Sequence, residues 1–113
     1  MILSKTPLRV SFVGGGTDYF TNFGTHGRVI ATSINKYLYI LLNKKHDDEI
    51  RVSYSKTENI KNIESLKHEL IRETLKHFKI EKGIEIVTSA DIPSSGSGLG
   101  SSSALTVGLI NAI

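Results

Sequence analysis

The sequence predicts an α+β domain, a sheet with helices packed against it, and three observations lead there. Runs of β-branched and aromatic residues alternate with period two, one apolar stripe steps by three and four, and two glycine-rich loops follow strand-like segments. The chain has 113 residues, 39% hydrophobic and 22% charged, which suits one small globular domain and excludes disorder, collagen and coiled coil.

Taken in order, residues 7–13 form a first short strand closed by Gly14, Gly15 and Gly16. Residues 29–42 form a long half-buried strand with Ile30, Ile34, Leu38 and Ile40 on one parity. After the polar turn 44–48, Ile50, Val52 and Tyr54 alternate with Arg51 and Ser53, so the two strands are expected to pair as an antiparallel hairpin. From residue 60 to 78, Ile60, Ile63, Leu66, Leu70, Ile71, Leu75 and Phe78 draw one stripe on an amphipathic helix. Gly83 breaks the chain after that helix, and Ile84, Ile86, Ala90 and Ile92 restore period two up to Pro93. A Gly/Ser loop follows through Ser103, and residues 104–113 open a final helix that is apolar almost all round. That helix stops at Ile113 without a glycine cap, a basic last turn or a proline, so the domain is expected to be cut within it.

Charge and composition narrow the chemistry. The chain has no cysteine, which removes disulfides, thiolate metal sites and thiol nucleophiles and agrees with a cytosolic setting. No run approaches the ~18 apolar residues of a membrane span, and the first residues lack the pattern of a signal peptide. The net charge is +3, with the basic excess in residues 1–45, whereas residues 83–113 contain no Lys or Arg.

The loop between Pro93 and Ala104 carries the strongest signal. Gly96, Gly98 and Gly100 let backbone approach a ligand, and the helix that follows offers amides at its positive end. Phosphates can be held there by backbone and hydroxyl groups without a basic residue. Ser101, Ser102 and Ser103 add hydroxyls that suit phosphate oxygens or the shell of Mg²⁺. A P-loop needs lysine after the last glycine and a dinucleotide fingerprint needs a further glycine at 101 or 103; serine stands at these positions. A plain flexible linker is the alternative, opposed by the strand that runs into the loop and the helix that leaves it.

The second candidate is the segment 7–19. Three glycines after a strand also make an ordinary turn, and Asp18 can cap one. Arg9 is harder to absorb, because an unpaired guanidinium on an apolar strand is costly and its donor fork suits phosphate or carboxylate.

Pro7-Leu8-Arg9-Val10 with Gly14-Gly15-Gly16-Thr17-Asp18-Tyr19, together with Pro93 and Gly98-Leu99-Gly100-Ser101-Ser102-Ser103-Ala104, resembles the two N-terminal motifs of the GHMP small-molecule kinases. The GGGTD run and the segment 33–58 are similar to the branch acting on D-glycero-D-manno-heptose 7-phosphate; a fucose- or galactose-type kinase is the alternative. The resemblance implies a ribosomal-protein-S5-domain-2-like N-terminal domain over residues 1–113, incomplete at its C-terminus, with the C-terminal domain absent. It implies that Pro93, Gly96, Ser97, Gly98, Leu99, Gly100, Ser101, Ser102 and Ser103 bind ATP, and that Ser102 is a Mg²⁺ ligand. Arg9 is implied beside the transferred phosphate, and Gly15, Gly16, Thr17 and Asp18 at the sugar. Glu and His of the galactokinase pattern are replaced by Gly15 and Gly16, which leaves room for a bulkier or phosphorylated sugar.

Lys56, in a segment shared with the heptose-phosphate branch, is a candidate for the sugar phosphate, although a solvated lysine after a strand explains it as well. Lys36, Tyr37 and Tyr39 read as a half-exposed strand, and the four histidines as loop or helix surface. The expected partners are ATP and a phosphosugar, with no nucleic acid and no membrane; a homodimer is admitted for the full-length protein. The family's catalytic aspartate lies beyond its Gly/Ser loop, so the 113 residues alone are expected to have negligible turnover. The rivals are an S5-like nucleic-acid-binding module, and a sensor that keeps both loops without chemistry.

Overall fold

The computed structural model describes residues 1–17, 27–93 and 96–113. Five strands, β1 (Ile2–Val13), β2 (Ile30–Lys44), β3 (Ile50–Ser53), β4 (Thr57–Ile60) and β5 (Ile84–Ala90), form one mixed sheet in the order β1-β2-β5-β3-β4. Two helices, α1 (Glu69–His77) and α2 (Ser101–Ala112), pack on one face of it. Leu8, Leu38, Ile40, Ile50, Val52, Ile84 and Ile86 from the sheet meet Ile71, Leu75, Leu105 and Leu109 from the helices in a single core. The α+β expectation therefore holds, and the departures from it lie in how the elements connect.

The expected hairpin of β2 with β3 does not form. β5 lies between them, antiparallel to β2 and parallel to β3, while β3 pairs antiparallel with β4. Ile84 and Ile86 account for this: at a sheet edge they would be half exposed, whereas between two strands they are buried. The turn after β2 is tied to the start of β5 by the Lys45 N–H, which donates to the Gly83 carbonyl at 2.8 Å.

The expected helix over 60–78 begins only at Glu69. Ile60 ends β4, and Ile63–Ser65 make a 3₁₀ turn capped by the Asn62 side chain, which accepts from the Glu64 N–H at 3.0 Å. A period of three serves a 3₁₀ turn as well as an α-helix, so Ile63 and Leu66 keep their buried stripe without α-helical backbone. α1 ends before Gly83. Lys79 takes the left-handed conformation (φ 57°), and Ile80 N–H reaches back to the Leu75 carbonyl at 2.9 Å, the paired bonding of a Schellman end with lysine in glycine's usual place.

β1 starts at Ile2, five residues before the expected start at Pro7. Its core-facing residues there are Ser4 and Thr6, which hide the strand from a hydrophobicity pattern. They are small because α2 comes close: a Cβ at Gly108 would lie 2.5 Å from Thr6 Oγ1 and 3.1 Å from Ile40 Cδ1. α2 likewise starts at Ser101 rather than after Ser103.

β1 and β2 continue beyond the last residue of β5, since Thr6 pairs with Leu38 and Leu38 with Ala90. Residues 7–13 and 30–37 thus form a two-stranded ribbon reaching roughly 20 Å past the body of the sheet. On it Ile30, expected in the core, is 65% exposed. Asp91 closes β5 by donating its N–H to the Tyr37 carbonyl and accepting from the Tyr37 N–H through Oδ2. On the sheet face turned away from the helices, Lys5 Nζ lies 3.9 Å from the centre of the Tyr37 ring, with Tyr39 alongside.

Alanine at position 108 gains helix propensity of about 1 kcal/mol, yet it forces a methyl into Thr6 Oγ1, and overpacking of that kind costs about 1–3 kcal/mol. Gly108→Ala is expected to lower stability in urea denaturation, and Thr6→Ala in the same chain to restore most of the loss.

Candidate phosphate and nucleotide site

The last 31 residues hold no cation, so the Gly/Ser loop has to borrow one. The structure shows where it comes from. The loop leaves Pro93, passes Gly96, Ser97 and Gly98, and returns to β1, where the Arg9 N–H donates to the Leu99 carbonyl at 3.1 Å. Gly100 then caps α2 in a left-handed conformation (φ 73°), with no side-chain cap. The Arg9 side chain passes beside it: a Cβ on Gly100 would sit 3.2 Å from Nε and 3.5 Å from Cζ. An arginine from one end of the sequence thus stands at the positive end of a helix from the other.

The first bond of α2 runs from Ala104 N–H to the Gly100 carbonyl at 2.9 Å. The amides of Ser102 and Ser103 lie ahead of it, where helix amides face an anion. Gly96 and Gly98 both have positive φ, 74° and 66°, and a Cβ on either would meet nothing within 4 Å. Their lack of a side chain keeps space that no atom of the described residues fills.

The triple glycine is joined to this cluster through Ser11. Arg9 Nη1 donates to Ser11 Oγ at 2.6 Å, and Ser11 in turn lies under Gly15, whose added Cβ would be 3.4 Å from Ser11 Cβ. Gly14 is required by packing, because a side chain there would run into the Arg28 carbonyl; Gly16, at φ 89°, faces open space. Thr17 secures the loop: its Oγ1 lies 2.7 Å from the Gly14 carbonyl and 2.9 Å from that of Arg28, and accepts from the Arg28 N–H at 3.1 Å. Its hydroxyl is thus committed to the loop. Asp18 lies outside the described residues.

A groove of about 410 Å³ opens on the other side of the α2 N-terminus. Its lining combines Ser101 and Ser102 with the apolar Leu38, Ala90, Ile92 and Leu105 and with Tyr54, Ser55 and His68. The Tyr54 and His68 rings meet edge to face, centroids 4.9 Å apart. Tyr54 is held by Glu58, whose Oε1 accepts from its hydroxyl at 2.8 Å while Oε2 accepts from the Lys67 N–H at 3.0 Å. The hydrogen bond to Glu58 raises the Tyr54 hydroxyl above the usual phenol range. Burial pushes the Glu58 carboxyl up, but the Lys67 amide and the Tyr54 hydroxyl outweigh it and hold the group below the usual carboxylate range. Lys56 is exposed in the turn between β3 and β4, beside this groove and across the sheet from the triple glycine.

Ser11, Tyr54 and His68 were not anticipated from sequence. Ser11 was within reach of it, since residues two apart on a strand share a face. Tyr54 and His68 were not, because they reach the loop only when β3 sits beside β5. His68, expected on a loop or helix surface without a role, stands just before α1 and lines the groove, its Nδ1 buried and without a hydrogen-bond partner among the described residues. Among the described residues no cluster of His, Asp or Glu could hold a metal by itself, and no helix is long and apolar enough to cross a membrane.

A five-stranded sheet under two helices, with an arginine of β1 beside the glycine that opens α2, is the domain that comparison with known proteins places in a family. Residues 64–113 match the family described as GHMP kinases N terminal domain. Over 98% of its length the chain is 32% identical to D-glycero-alpha-D-manno-heptose 7-phosphate kinase of Campylobacter jejuni, covering 36% of that protein. It superposes on the crystal structure of a D-glycero-D-manno-heptose 1-phosphate kinase from Bacteriodes thetaiotaomicron with a TM-score of 0.78 and 28% identity, covering 99% of this chain and 40% of that one. The mevalonate kinase of Methanococcus jannaschii gives 0.71 at 25% identity, with 98% of this chain and 38% of that one covered. The chain belongs to the GHMP kinases. Within them it is similar to heptose-phosphate kinases, and it spans well under half the length of these relatives.

Two outcomes test the local geometry. Gly14→Ala should cost at least about 2 kcal/mol in urea denaturation, and Gly16→Ala only the ~1–2 kcal/mol of a left-handed alanine. Because its folded-state pKa is depressed, Glu58 contributes stability that is present above the ordinary carboxylate range and lost as pH falls through it. The stability deficit of Glu58→Gln at pH 7 should therefore shrink toward zero below about pH 4, read from melting temperatures across pH.

Proposed function

We propose that this chain is the nucleotide-binding part of a sugar kinase that transfers the γ-phosphoryl of MgATP to the anomeric hydroxyl of D-glycero-D-manno-heptose 7-phosphate. The observation that carries the reading is the Arg9 guanidinium lying against Gly100 at the α2 N-terminus, beside glycines that keep open space. Similarity to heptose-phosphate kinases supports the acceptor, and Gly15 and Gly16 leave it room.

In this reading the triphosphate lies along Gly96, Gly98 and Gly100, its charge met by the Ser102 and Ser103 amides and by Arg9. The nucleoside occupies the groove walled by Tyr54 and His68, whose volume and mixed lining suit a small ligand. Ser102, whose hydroxyl stands in the first turn of α2, would offer one oxygen to Mg²⁺ when the ion is bound. Bound there, it would supply charge neutralisation for the phosphates. Arg9 stabilises charge on the transferred group while the sugar hydroxyl attacks phosphorus, the bond to the bridging oxygen breaks and ADP leaves. Asp18 orients the sugar. Arg9 has no ion-pair partner among the described residues, and the group that takes the hydroxyl proton is assigned to the further length that the relatives have.

The complete gene product, given MgATP and the heptose 7-phosphate, should yield the 1,7-bisphosphate, seen by ³¹P NMR; turnover of galactose or fucose in its place would overturn the acceptor assignment. Asparagine tolerates the left-handed region, so Gly98→Asn adds a side chain to the open space with little strain. It should weaken MgATP binding at least about tenfold by calorimetry while the melting temperature barely moves.

A further inference from the structure

We infer that Ser11 is a positioning residue, which sets the Arg9 guanidinium at the α2 N-terminus and couples it to the triple-glycine loop. The inference rests on the proposed phosphoryl transfer for its catalytic readout, and on geometry alone for the rest.

An arginine side chain has several rotatable bonds and, unheld, spreads its charge over many positions. Arg9 is held at two points. Its Cγ, Nε and Cζ pass beside Gly100, where an added Cβ would lie 3.2 Å from Cγ and Nε and 3.5 Å from Cζ and would press on the side chain. Its Nη1 donates to Ser11 Oγ at 2.6 Å, a short charge-assisted bond. The first contact runs along the stem and the base of the guanidinium and the second is at its tip, so the Ser11 bond is the one that sets the rotation of the group. Neither contact uses a carboxylate, and among the described residues none offsets the positive charge.

Ser11 also faces the other way. It packs under Gly15, in the loop that Thr17 fastens to Arg28. A hydroxyl that accepts from Arg9 keeps its own proton to donate. One small residue therefore touches the arginine of the phosphate side and the loop assigned to the sugar. If the sugar loop shifts on binding, Ser11 is the contact that carries the shift to Arg9.

The test uses the complete gene product. Ser11→Ala should lower kcat about 10- to 100-fold, the range expected when a reacting group is misplaced by a fraction of an ångström to an ångström, with the KM for ATP changed less than about threefold. Ser11→Thr, which keeps the hydroxyl, should recover most of the loss. In an Arg9→Lys background, where Nη1 is gone, Ser11→Ala should add little; an equal loss in both backgrounds means that Ser11 acts independently of Arg9 and overturns the inference. A second readout needs no turnover. In ¹⁵N NMR of arginine side chains, rotation about the Arg9 Nε–Cζ bond should be slow in the wild type and faster in Ser11→Ala. Fast rotation in the wild type overturns the inference even if the protein proves to be no kinase, and slow rotation with an inactive wild type sinks the kinase reading alone.

Discussion

One backbone hydrogen bond, from the Arg9 N–H to the Leu99 carbonyl, holds together everything proposed to be functional in this chain. It ties the end of the Gly/Ser loop to the projecting ribbon, sets Gly100 beneath the guanidinium, and so decides where α2 begins. α2 in turn lies close on β1 and β2 because Gly108 faces Thr6, and its Leu105 and Leu109 complete the core. The loop is thus anchored at both ends, by Asp91 on Tyr37 and by Leu99 on Arg9, while among the described residues nothing covers the side-chain positions of Gly96 and Gly98 between them.

The same contact resolves a problem of charge. A phosphate loop without basic residues relies on amide dipoles, which act within the first helical turn. Arg9 adds a full charge at that turn from the strand next to it, without lengthening the loop. The sheet makes this possible, since β1, β5 and β3 run in one direction and their C-terminal ends gather on one side. The triple glycine, the Gly/Ser loop and the Tyr54 turn all follow those ends.

How far the fold could be read from sequence depended on whether a pattern admits one backbone or two. The alternation of Ile84 and Ile86 admits only a strand, and a strand forms there. The spacing of Ile60, Ile63 and Leu66 admits a helix, but also a strand end followed by a 3₁₀ turn, and the Asn62 cap selects the second. Proximity in sequence favours pairing of β2 with β3, but β5 inserts between them and is buried there. Ser4 and Thr6 concealed half of β1, because what makes them right for the core is the helix crossing above them.

The two motifs, the chemistry they suit and the α+β class were determined by the sequence alone, for glycine spacing, the missing cations of the last segment and an arginine on an apolar strand are local facts about residue types. Which residues meet was decided only by the tertiary structure. Arg9 and Gly100 are 91 positions apart, and Tyr54 and His68 reach the α2 N-terminus only because β3 lies beside β5. The physical reason is that strand order follows from the summed burial of the whole sheet, a quantity that no single segment contains.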